Sequence, residues 1–359
     1  MSRLPDPNLW RGRRVLITGH TGFKGAWLCS WLLSLGAKVA GYALPPTKDM
    51  PLFGQLDFNG KVQSTFADIA DRPSLRAAIE DFRPEAVFHL AAQALVRESY
   101  AEPLETYRVN VMGTATLLDA IREATSVRAI LVVTTDKVYE NRNWVWGYRE
   151  TDALGGHDPY SSSKACTELV ADAYRRSFLD SAGKFLATAR AGNVVGGGDF
   201  ATDRLVPDAI RAFSAGTPLV LRSPAASRPF QHVLDPLCGY ILLTEELLAG
   251  RVACCESFNF GPNEEQKVGK AARLLAASWG PGAAVDTVVA DSAFHEALSL
   301  NLDSRKAQHN LGWRPRLDFA TAMDWTAHFY RGLHQGQSAR SLIARDLKAY
   351  LDTQVPENA

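Results

Sequence analysis

The sequence has 359 residues, of which 46% are hydrophobic and 22% are charged, the balance of an ordinary globular protein. Lysine plus arginine equals aspartate plus glutamate at 39 each, so the net charge of zero excludes a broad electrostatic attraction to nucleic acid or to an anionic membrane. The length predicts two domains, or one large α/β unit with an added lobe.

Targeting signals, disulfides and metal sites are not indicated. The polar N-terminal residues are unlike a signal peptide, and no apolar run approaches the roughly 20 residues that span a bilayer. The five cysteines fit neither a disulfide scaffold nor a zinc site, and the eight histidines do not pair at metal-ligand spacing. We therefore expect a cytoplasmic protein with reduced thiols, no metal, and neither nucleic acid nor membrane as a partner.

Short β-rich runs alternate with helical runs in the first half of the chain. The predicted strands and helices alternate without hairpin signals, which predicts a parallel sheet covered on both faces. The predicted strands are residues 14–18, 39–43, 62–66, 86–90, 129–135 and 185–191, and the predicted helices are residues 24–35, 74–82, 103–124 and 160–179.

The pattern changes after Gly192, where Gly196-Gly197-Gly198 and several prolines interrupt the alternation. We predict a smaller mixed C-terminal lobe there, with a further surface helix after Gln337. The predicted helices of this part are residues 204–215, 235–248, 268–278 and 317–331.

A glycine-rich loop, Gly19-His20-Thr21-Gly22-Phe23-Lys24-Gly25, joins the first predicted strand to the first long helix. Glycine permits a tight turn and close approach of the backbone to a pyrophosphate, which the helix N-terminus then favours. The loop predicts a dinucleotide-binding, Rossmann-type doubly wound α/β sheet. No carboxylate ends the second strand to select NAD, Lys48 is the nearest cation, and Asp68 is either an adenine contact or a helix cap.

Tyr160 and Lys164 stand four residues apart near the start of a predicted helix, where positions i and i+4 share one face. A lysine cation beside a phenol favours the phenolate, so this spacing predicts that the pKa of Tyr160 is lowered and that it exchanges a proton with substrate. The preceding strand ends in Thr134-Thr135-Asp136-Lys137, at the edge where open parallel sheets bind ligands.

Several segments together resemble the extended short-chain dehydrogenases/reductases over roughly residues 13–330. They are Gly19-x-x-Gly22-x-x-Gly25, His89-Leu90-Ala91-Ala92, Asn110-Val111-x-Gly113-Thr114 and Tyr160-x-x-x-Lys164. The resemblance implies bound NAD in a domain of residues 1–193, to which later segments such as 230–250 return, and a substrate lobe in residues 194–359. The implied cofactor contacts are Gly19, Thr21, Gly22, Phe23, Lys24, Gly25, Asp68, Ile69, Leu90, Ala91, Ala92, Asn110, Tyr160 and Lys164.

The two residues after Thr135 indicate a subclass of this superfamily. Sugar-nucleotide 4-epimerases need no extra acid and base, whereas the 4,6-dehydratases carry both directly after the threonine. Asp136-Lys137 is similar to the CDP-glucose 4,6-dehydratases rather than to the commoner Asp-Glu pair. The same group is resembled by residues 144–150, 190–199 and 228–233.

The resemblance implies a hydro-lyase reaction in which a hydride moves from C4 of the hexose to NAD+ and later returns to C6. Tyr160 removes the 4-hydroxyl proton beside Thr135, Lys137 as a neutral amine removes the C5 proton, and protonated Asp136 releases the 6-hydroxyl as water. The implied product is CDP-4-keto-6-deoxyglucose, a precursor for deoxysugars such as those of O-antigen lipopolysaccharide.

Three other readings stay open at this point. Asp136 and Lys137 are alternatively a solvated charge pair on a loop. The chain is then another nucleotide-sugar 4,6-dehydratase or a 4-epimerase. A non-catalytic NAD-sensing regulator is a remote alternative, because such proteins usually lose the tyrosine or the lysine and this chain keeps both.

Substrate contacts are predicted at Ser99, Asn193, Arg204 and Arg228. A guanidinium binds phosphate oxygens in a bidentate manner, although the ordinary role of a single arginine is that of a solvated charge. The superfamily resemblance also implies a homodimer or homotetramer, with residues 109–124 and 160–179 forming a four-helix bundle between two copies.

Overall fold

A computed structural model describes residues 2–48, 51–262, 264–288 and 300–354. The strands, numbered in chain order, include one run of five fully buried apolar residues and several two-residue pairs. They are β1 (Arg14–Thr18), β2 (Lys38–Ala43), β3 (Val62–Phe66), β4 (Ala86–His89), β5 (Ala129–Val133), β6 (Phe185–Arg190), β7 (Val194–Val195), β8 (Leu219–Leu221), β9 (Ser227–Arg228), β10 (Gln231–His232), β11 (Ser257–Asn259), β12 (Gln266–Lys267) and β13 (Val285–Thr287).

Seven strands form one sheet in the order β3-β2-β1-β4-β5-β6-β11, and each neighbouring pair is parallel. The chain runs outward from β1 to β3 and then returns to place β4 on the other side of β1. This reversal creates a crevice at the carboxyl ends of β1 and β4, the usual ligand site of an open parallel sheet. The predicted doubly wound α/β fold is confirmed.

Helices cover both faces of the sheet. They are α1 (Pro7–Trp10), α2 (Phe23–Ser34), α3 (Leu52–Leu56), α4 (Arg72–Phe82), α5 (Val96–Ala101), α6 (Pro103–Tyr107), α7 (Gly113–Glu123), α8 (Pro159–Tyr174), α9 (Leu205–Ser214), α10 (Leu234–Leu248), α11 (Val268–Trp279), α12 (Arg305–Leu311), α13 (Phe319–His334) and α14 (Ala339–Asp352). Within the described residues, no helix is both long enough and apolar enough to cross a bilayer.

Two apolar cores lie on opposite faces because side chains alternate along each strand. Val15 and Ile17 of β1 pack with α2, α10 and α14, whereas Leu16 packs with α4, α7 and α8. The first core thus contains helices from both ends of the chain. The final helix is more than a surface element, because Leu342 and Tyr350 of α14 are almost fully buried.

A separate core lies in the smaller C-terminal lobe, where α9, α11 and α13 pack around the parallel pair β8–β13. Two other small sheets, β7–β10 and the antiparallel pair β9–β12, connect this lobe to the ends of the large sheet. The predicted mixed lobe is confirmed as part of the fold. The exact division at residue 193 stays a prediction.

The predicted helix over residues 103–124 is interrupted. It consists of α6, a π-helical segment Arg108–Met112, and α7. A second π-helical segment, Arg175–Leu179, extends α8. Such π turns often occur at functional sites, and the first one carries Asn110.

Candidate active site

The glycine loop joins β1 to α2, and its three spaced glycines have different structural reasons. Gly19 has a φ of +74°, and a side-chain carbon there would lie 2.6 Å from the backbone nitrogen of Ala91. A side-chain carbon at Gly25 would lie 2.2 Å from the Gly19 carbonyl oxygen. Gly22 precedes α2, and its nearest atom would be an ordinary 3.4 Å away. Packing therefore requires glycine at positions 19 and 25, whereas the surroundings of Gly22 leave room for a ligand.

Other residues of the loop are tied to the neighbouring strands. The Thr21 hydroxyl donates to the Leu44 carbonyl at 3.0 Å, which connects the loop to the end of β2. Phe23 is half-buried and lies 3.2 Å from the position of a side-chain carbon at Gly196. The loop therefore has a fixed conformation beside the crevice between β1 and β4.

The residues after β4 line the same crevice. The Leu90 amide donates to the Thr18 carbonyl, and the Ala91 amide to the Thr18 hydroxyl. The Asn110 side chain accepts from the Gln93 amide at 2.8 Å and donates to the Gln93 carbonyl, so it fixes the loop that includes Ala92. Its present partners are all protein groups, and direct contact with a dinucleotide stays a prediction.

Asp68 follows β3 and forms a bidentate ion pair with Arg108, with distances of 3.2 and 2.7 Å. This pairing holds the pKa of Asp68 below its ordinary value. The neighbouring Ile69 is buried against Gly113, whose added side-chain carbon would lie 2.6 Å from an Ile69 methyl group. Asp68 is thus paired beside the β3 edge of the crevice, and its adenine contact stays a prediction.

Helix α8 begins at Pro159 directly beside the catalytic threonine. Asp158 caps the helix by accepting from the Ser161 amide at 2.9 Å and from its hydroxyl at 2.7 Å. Tyr160 therefore occupies the first turn, and its hydroxyl is hydrogen-bonded to Thr135. The structure thus brings together Thr135 and Tyr160, which are 25 positions apart in sequence.

The expected lowering of the Tyr160 pKa is not what the protein environment produces. Burial raises the pKa of Tyr160 to about 12, although Thr135 and the Arg204 guanidinium oppose this rise. Lys164 is not among the groups that lower it. Removal of a proton by Tyr160 therefore needs further stabilisation of the phenolate beyond what these protein groups supply.

Asp136 is the most buried acid near Tyr160. We call residues Thr135, Asp136, Lys137 and Val138 the catalytic turn. Asp136 is 2% exposed, its Oδ1 accepts from Thr135 at 2.9 Å, and its Oδ2 has no partner among the described residues. Burial raises the pKa of Asp136, against the opposing effects of Lys137, Thr135 and Arg228. A buried carboxyl with one unused oxygen and a raised pKa suits a proton donor.

Lys164 lies on the same helix face as Tyr160, and its Nζ donates to the Val133 carbonyl at 3.3 Å. Burial, and then the nearby Lys24 ammonium, lowers the pKa of Lys164 to about 7, whereas Glu168 opposes this change. Two lysines thus repel each other inside the crevice. An anion bound between them would relieve that repulsion.

Lys24 extends from the first turn of α2 toward the catalytic residues. Its Nζ lies 5.7 Å from the centre of the Tyr240 ring, and burial together with Arg204 lowers the pKa of Lys24 to about 8. Asp136 and Asp199 oppose this lowering. Lys24 therefore reaches the catalytic residues as well as the glycine loop.

Arg204 and Arg228 add two further cations to the site. Arg204 donates to Asp199 at 3.0 Å and interacts electrostatically with Tyr160. Arg228 belongs to β9 and affects the pKa of Asp136. With Lys24, Lys137 and Lys164 they give the crevice an excess of positive charge that suits diphosphate groups.

The remaining predicted substrate residues have different environments. Ser99 is fully buried, and its hydroxyl donates to the Val96 carbonyl within α5 at 2.6 Å. Asn193 is exposed, with a left-handed backbone φ of +45°, at the end of β6. Ser99 therefore uses its hydroxyl inside its own helix, and the substrate contacts at both residues stay predictions.

Tyr240 joins this site without any sequence pattern that singles it out, since it lies within an apolar stretch of α10. It is fully buried, and its hydroxyl has no partner among the residues that the structure describes. Burial raises the pKa of Tyr240, with smaller contributions from Tyr160 and Asp136. Only the fold brings α10 next to the catalytic turn.

In the described part of the chain, no three histidine, cysteine, aspartate or glutamate side chains are grouped to hold a metal ion. The site thus consists of one tyrosine, one threonine, a buried acid and several cations beside a glycine loop. This arrangement can exchange protons at neighbouring atoms of a ligand that also carries phosphate.

Comparison with known proteins identifies the group to which this site belongs. The sequence model of a family described as GDP-mannose 4,6 dehydratase matches residues 16–326. The chain is a member of the GDP-mannose 4,6-dehydratase family. The resemblance to nucleotide-sugar 4,6-dehydratases is therefore confirmed.

One curated relative within reach of this family is the CDP-glucose 4,6-dehydratase of Salmonella typhimurium. It is 43% identical over 353 residues, which cover 96% of this chain and 98% of that enzyme. A dTDP-glucose 4,6-dehydratase of Streptomyces antibioticus is 29% identical over 330 residues, covering 88% of this chain and 92% of the other.

Solved structures show the same fold as this family member. The dTDP-glucose 4,6-dehydratase of Streptomyces venezuelae, solved with NAD bound, is 27% identical, with a TM-score of 0.76 over 90% of this chain and 98% of that one. The UDP-glucose 4-epimerase of Thermus thermophilus, in complex with NAD, is 24% identical, with a TM-score of 0.78 over 89% and 99%.

Proposed function

We propose that this chain is an NAD-dependent CDP-glucose 4,6-dehydratase, a hydro-lyase that forms CDP-4-keto-6-deoxyglucose and water. The observation that carries the proposal is the catalytic turn, which places Asp136 and Lys137 directly beside the Thr135–Tyr160 pair. A 4-epimerase needs no acid of this kind, and the buried Asp136 carboxyl has an unused oxygen. The 43% identity to the Salmonella enzyme supports CDP-glucose as the substrate.

The crevice fits NAD at the glycine loop. Gly19 and Gly25 allow the tight turn, and Gly22 leaves its ligand side open before the N-terminus of α2. Lys24 and Lys164 supply positive charge on either side. When bound, NAD+ accepts a hydride from C4 of the hexose and later returns it to C6.

The protein residues move the protons of this reaction. Tyr160, with Thr135 beside it, removes the 4-hydroxyl proton, and the positive charge of an oxidised nicotinamide favours its phenolate. The resulting 4-ketone acidifies C5, from which Lys137 removes a proton. Asp136, kept protonated by burial, donates a proton to the 6-hydroxyl, which leaves as water.

A substrate panel tests the proposed function. The purified protein, supplied with NAD+, is incubated separately with CDP-, dTDP-, GDP- and UDP-glucose, and the 4-keto product is measured by its absorbance in alkali. We expect product from CDP-glucose at least about 100-fold faster than from the others, since unpaired polar groups of a base discriminate strongly. Faster conversion of another nucleotide sugar, or a 4-epimer without dehydration, would refute the assignment.

Gly22→Ala is expected to weaken NAD+ binding by about tenfold, because the added methyl group occupies the ligand side of the loop. The protein itself should remain folded, since a methyl group at this position meets no atom closer than 3.4 Å. Gly25→Ala is the matched comparison and should fail to fold stably, because its methyl group overlaps the Gly19 carbonyl. Titration calorimetry measures the affinity and thermal melting without cofactor measures the stability; undiminished NAD+ affinity in Gly22→Ala would contradict the prediction.

We also propose that two copies associate through α8 and the helices before it, as part of a homodimer or homotetramer. Large apolar side chains are exposed there: Leu104 is 84% exposed on α6, Met112 57% on the π-helical segment, and Leu169 61% on α8. Contiguous exposed apolar groups of this kind favour association. Sedimentation of the purified protein measures the oligomeric state.

A cytoplasmic location and a role in the deoxysugars of O-antigen lipopolysaccharide are part of the same proposal. All five cysteines are free, and four of them are buried, which suits a reducing compartment. Location of the tagged protein by cell fractionation tests the first point.

A further inference from the structure

A buried ion pair between Arg190 and Glu168 lies behind the catalytic turn. Arg190 Nε donates to Glu168 Oε1 at 3.0 Å, and its Nη2 donates to Oε2 at 2.9 Å. The two residues are only 2% and 4% exposed. Burial favours the neutral acid, but Arg190 and several hydroxyl donors hold the pKa of Glu168 below its ordinary value, so the pair is charged.

The pair contacts both flanks of the catalytic turn. On the N-terminal side, the hydroxyl of Thr134 donates to Glu168. On the C-terminal side, Arg190 Nη1 donates to the Tyr139 hydroxyl at 2.8 Å, and that hydroxyl donates to Asn259 at 2.7 Å. The residues that precede and follow the turn are thus joined through one carboxylate and one guanidinium.

Helix α8 connects this pair to Tyr160. Glu168 stands one helical turn after Lys164, which stands one turn after Tyr160, so the three residues share a face. Lys164 holds the Val133 carbonyl and Glu168 holds the next residue, Thr134. The end of β5 is therefore fastened to α8 at two consecutive residues.

We propose that Glu168 and Arg190 are positioning residues for the reaction. By holding Thr134 and Tyr139, they fix the catalytic turn relative to Tyr160, so that one bound hexose meets all the proton-transfer groups. Neither residue touches the reacting atoms. This proposal rests on the dehydratase function proposed above, because it assigns the turn two steps that must operate on the same substrate.

Two threonines provide a matched test. Thr134 and Thr188 are both buried, and both donate a hydroxyl to Glu168, Thr188 at 2.6 Å. Thr134 adjoins the catalytic turn, whereas Thr188 lies within β6 and leads only to the sheet. Valine at either position removes one hydroxyl at nearly constant shape, so both variants lose a similar bond.

We expect Thr134→Val to lower kcat for CDP-glucose by about tenfold to a hundredfold, because small displacements of catalytic groups have effects of this size. KM should stay within about twofold, and Thr188→Val should keep kcat within about threefold, at a similar melting temperature. Thr134→Ser, which retains the hydroxyl, should restore turnover. Equal kcat values for the two valine variants, or a change in KM alone, would overturn the proposal.

Two further measurements separate this proposal from the proposed function and from a folding defect. Tyr139→Phe removes the contact on the other flank and should lower kcat in the same way. Amide hydrogen exchange of residues 135–139 should be about tenfold faster in Thr134→Val than in Thr188→Val, whatever the substrate. Wild-type protein that is inactive on the whole substrate panel refutes the function alone, while equal exchange in the two variants refutes the positioning role alone.

Discussion

Lys137→Met is expected to stop exchange of the C5 proton with solvent while oxidation at C4 still occurs. Lys137 is the base of the elimination, and methionine keeps most of its length and its half-buried packing without the amine. Loss of a general base lowers turnover by about 10²–10⁴-fold. The measurement is deuterium incorporation at C5 in D2O by NMR, together with the absorbance of reduced nicotinamide in a single turnover.

The combination of the two readouts makes this test decisive. A general disruption of the site would abolish both oxidation and exchange, whereas loss of the base abolishes only exchange. Lys348→Met, at an exposed position of α14, controls for the loss of a lysine elsewhere. Deuterium incorporation at the wild-type rate in Lys137→Met would show that another group takes the C5 proton.

Tyr160→Phe is expected to abolish the first step, so that neither oxidation at C4 nor exchange at C5 is seen. The substitution removes only the hydroxyl that bonds Thr135, and the ring remains packed at a position that is 8% exposed. We expect turnover to fall by about 10³–10⁴-fold, near the upper end of general base effects, because all later steps depend on the ketone. Single-turnover absorbance of reduced nicotinamide measures it.

Tyr107→Phe is the matched control for this loss. Tyr107 also places its hydroxyl on α8, where it donates to Ser162 at 3.1 Å, but it belongs to α6 and has no contact with Thr135. Turnover of the control should stay within about threefold of the wild type, as for most substitutions away from the chemistry. Rapid C4 oxidation in Tyr160→Phe would mean that the proton leaves by another route.

The parallel sheet was predictable because its central strands are short apolar runs separated by helical patterns. β5, with the sequence Ala-Ile-Leu-Val-Val, is buried at every position and has no competing interpretation. β11 could not be predicted in the same way. It has only three residues, Ser257–Asn259, and its strand conformation depends on pairing with β6, about 70 positions earlier.

The break in the predicted helix over residues 103–124 has a different cause. The apolar pattern continues through Arg108–Met112, but the hydrogen bonds there widen to a π turn. Side-chain periodicity reports which face is buried, and it does not report such a local change in hydrogen bonding. The segment turns Asn110 toward Gln93 and Ser163, contacts that only the folded chain defines.

The core of the candidate site could be predicted because its residues lie at the ends of predicted elements. Thr135 follows β5 and Tyr160 begins α8, so the sheet edge alone places them together. Tyr240 and Glu168 could not be assigned from sequence, since each lies inside a helix with no motif of its own. The raised pKa of Tyr160 also depends on burial, which the Tyr-Lys spacing does not reveal.

The last helix of the chain completes the packing of the first long one. Tyr350 of α14 lies edge-on to Trp31 of α2 at 5.6 Å, and its hydroxyl donates to Asp235 of α10 at 3.0 Å. During ribosomal synthesis, Trp31 must therefore wait for almost the whole chain before its apolar face is covered. Premature stop codons shortly before α14 would remove no catalytic residue, yet they would leave that face open to chaperones and proteases, so the loss would be one of cellular abundance.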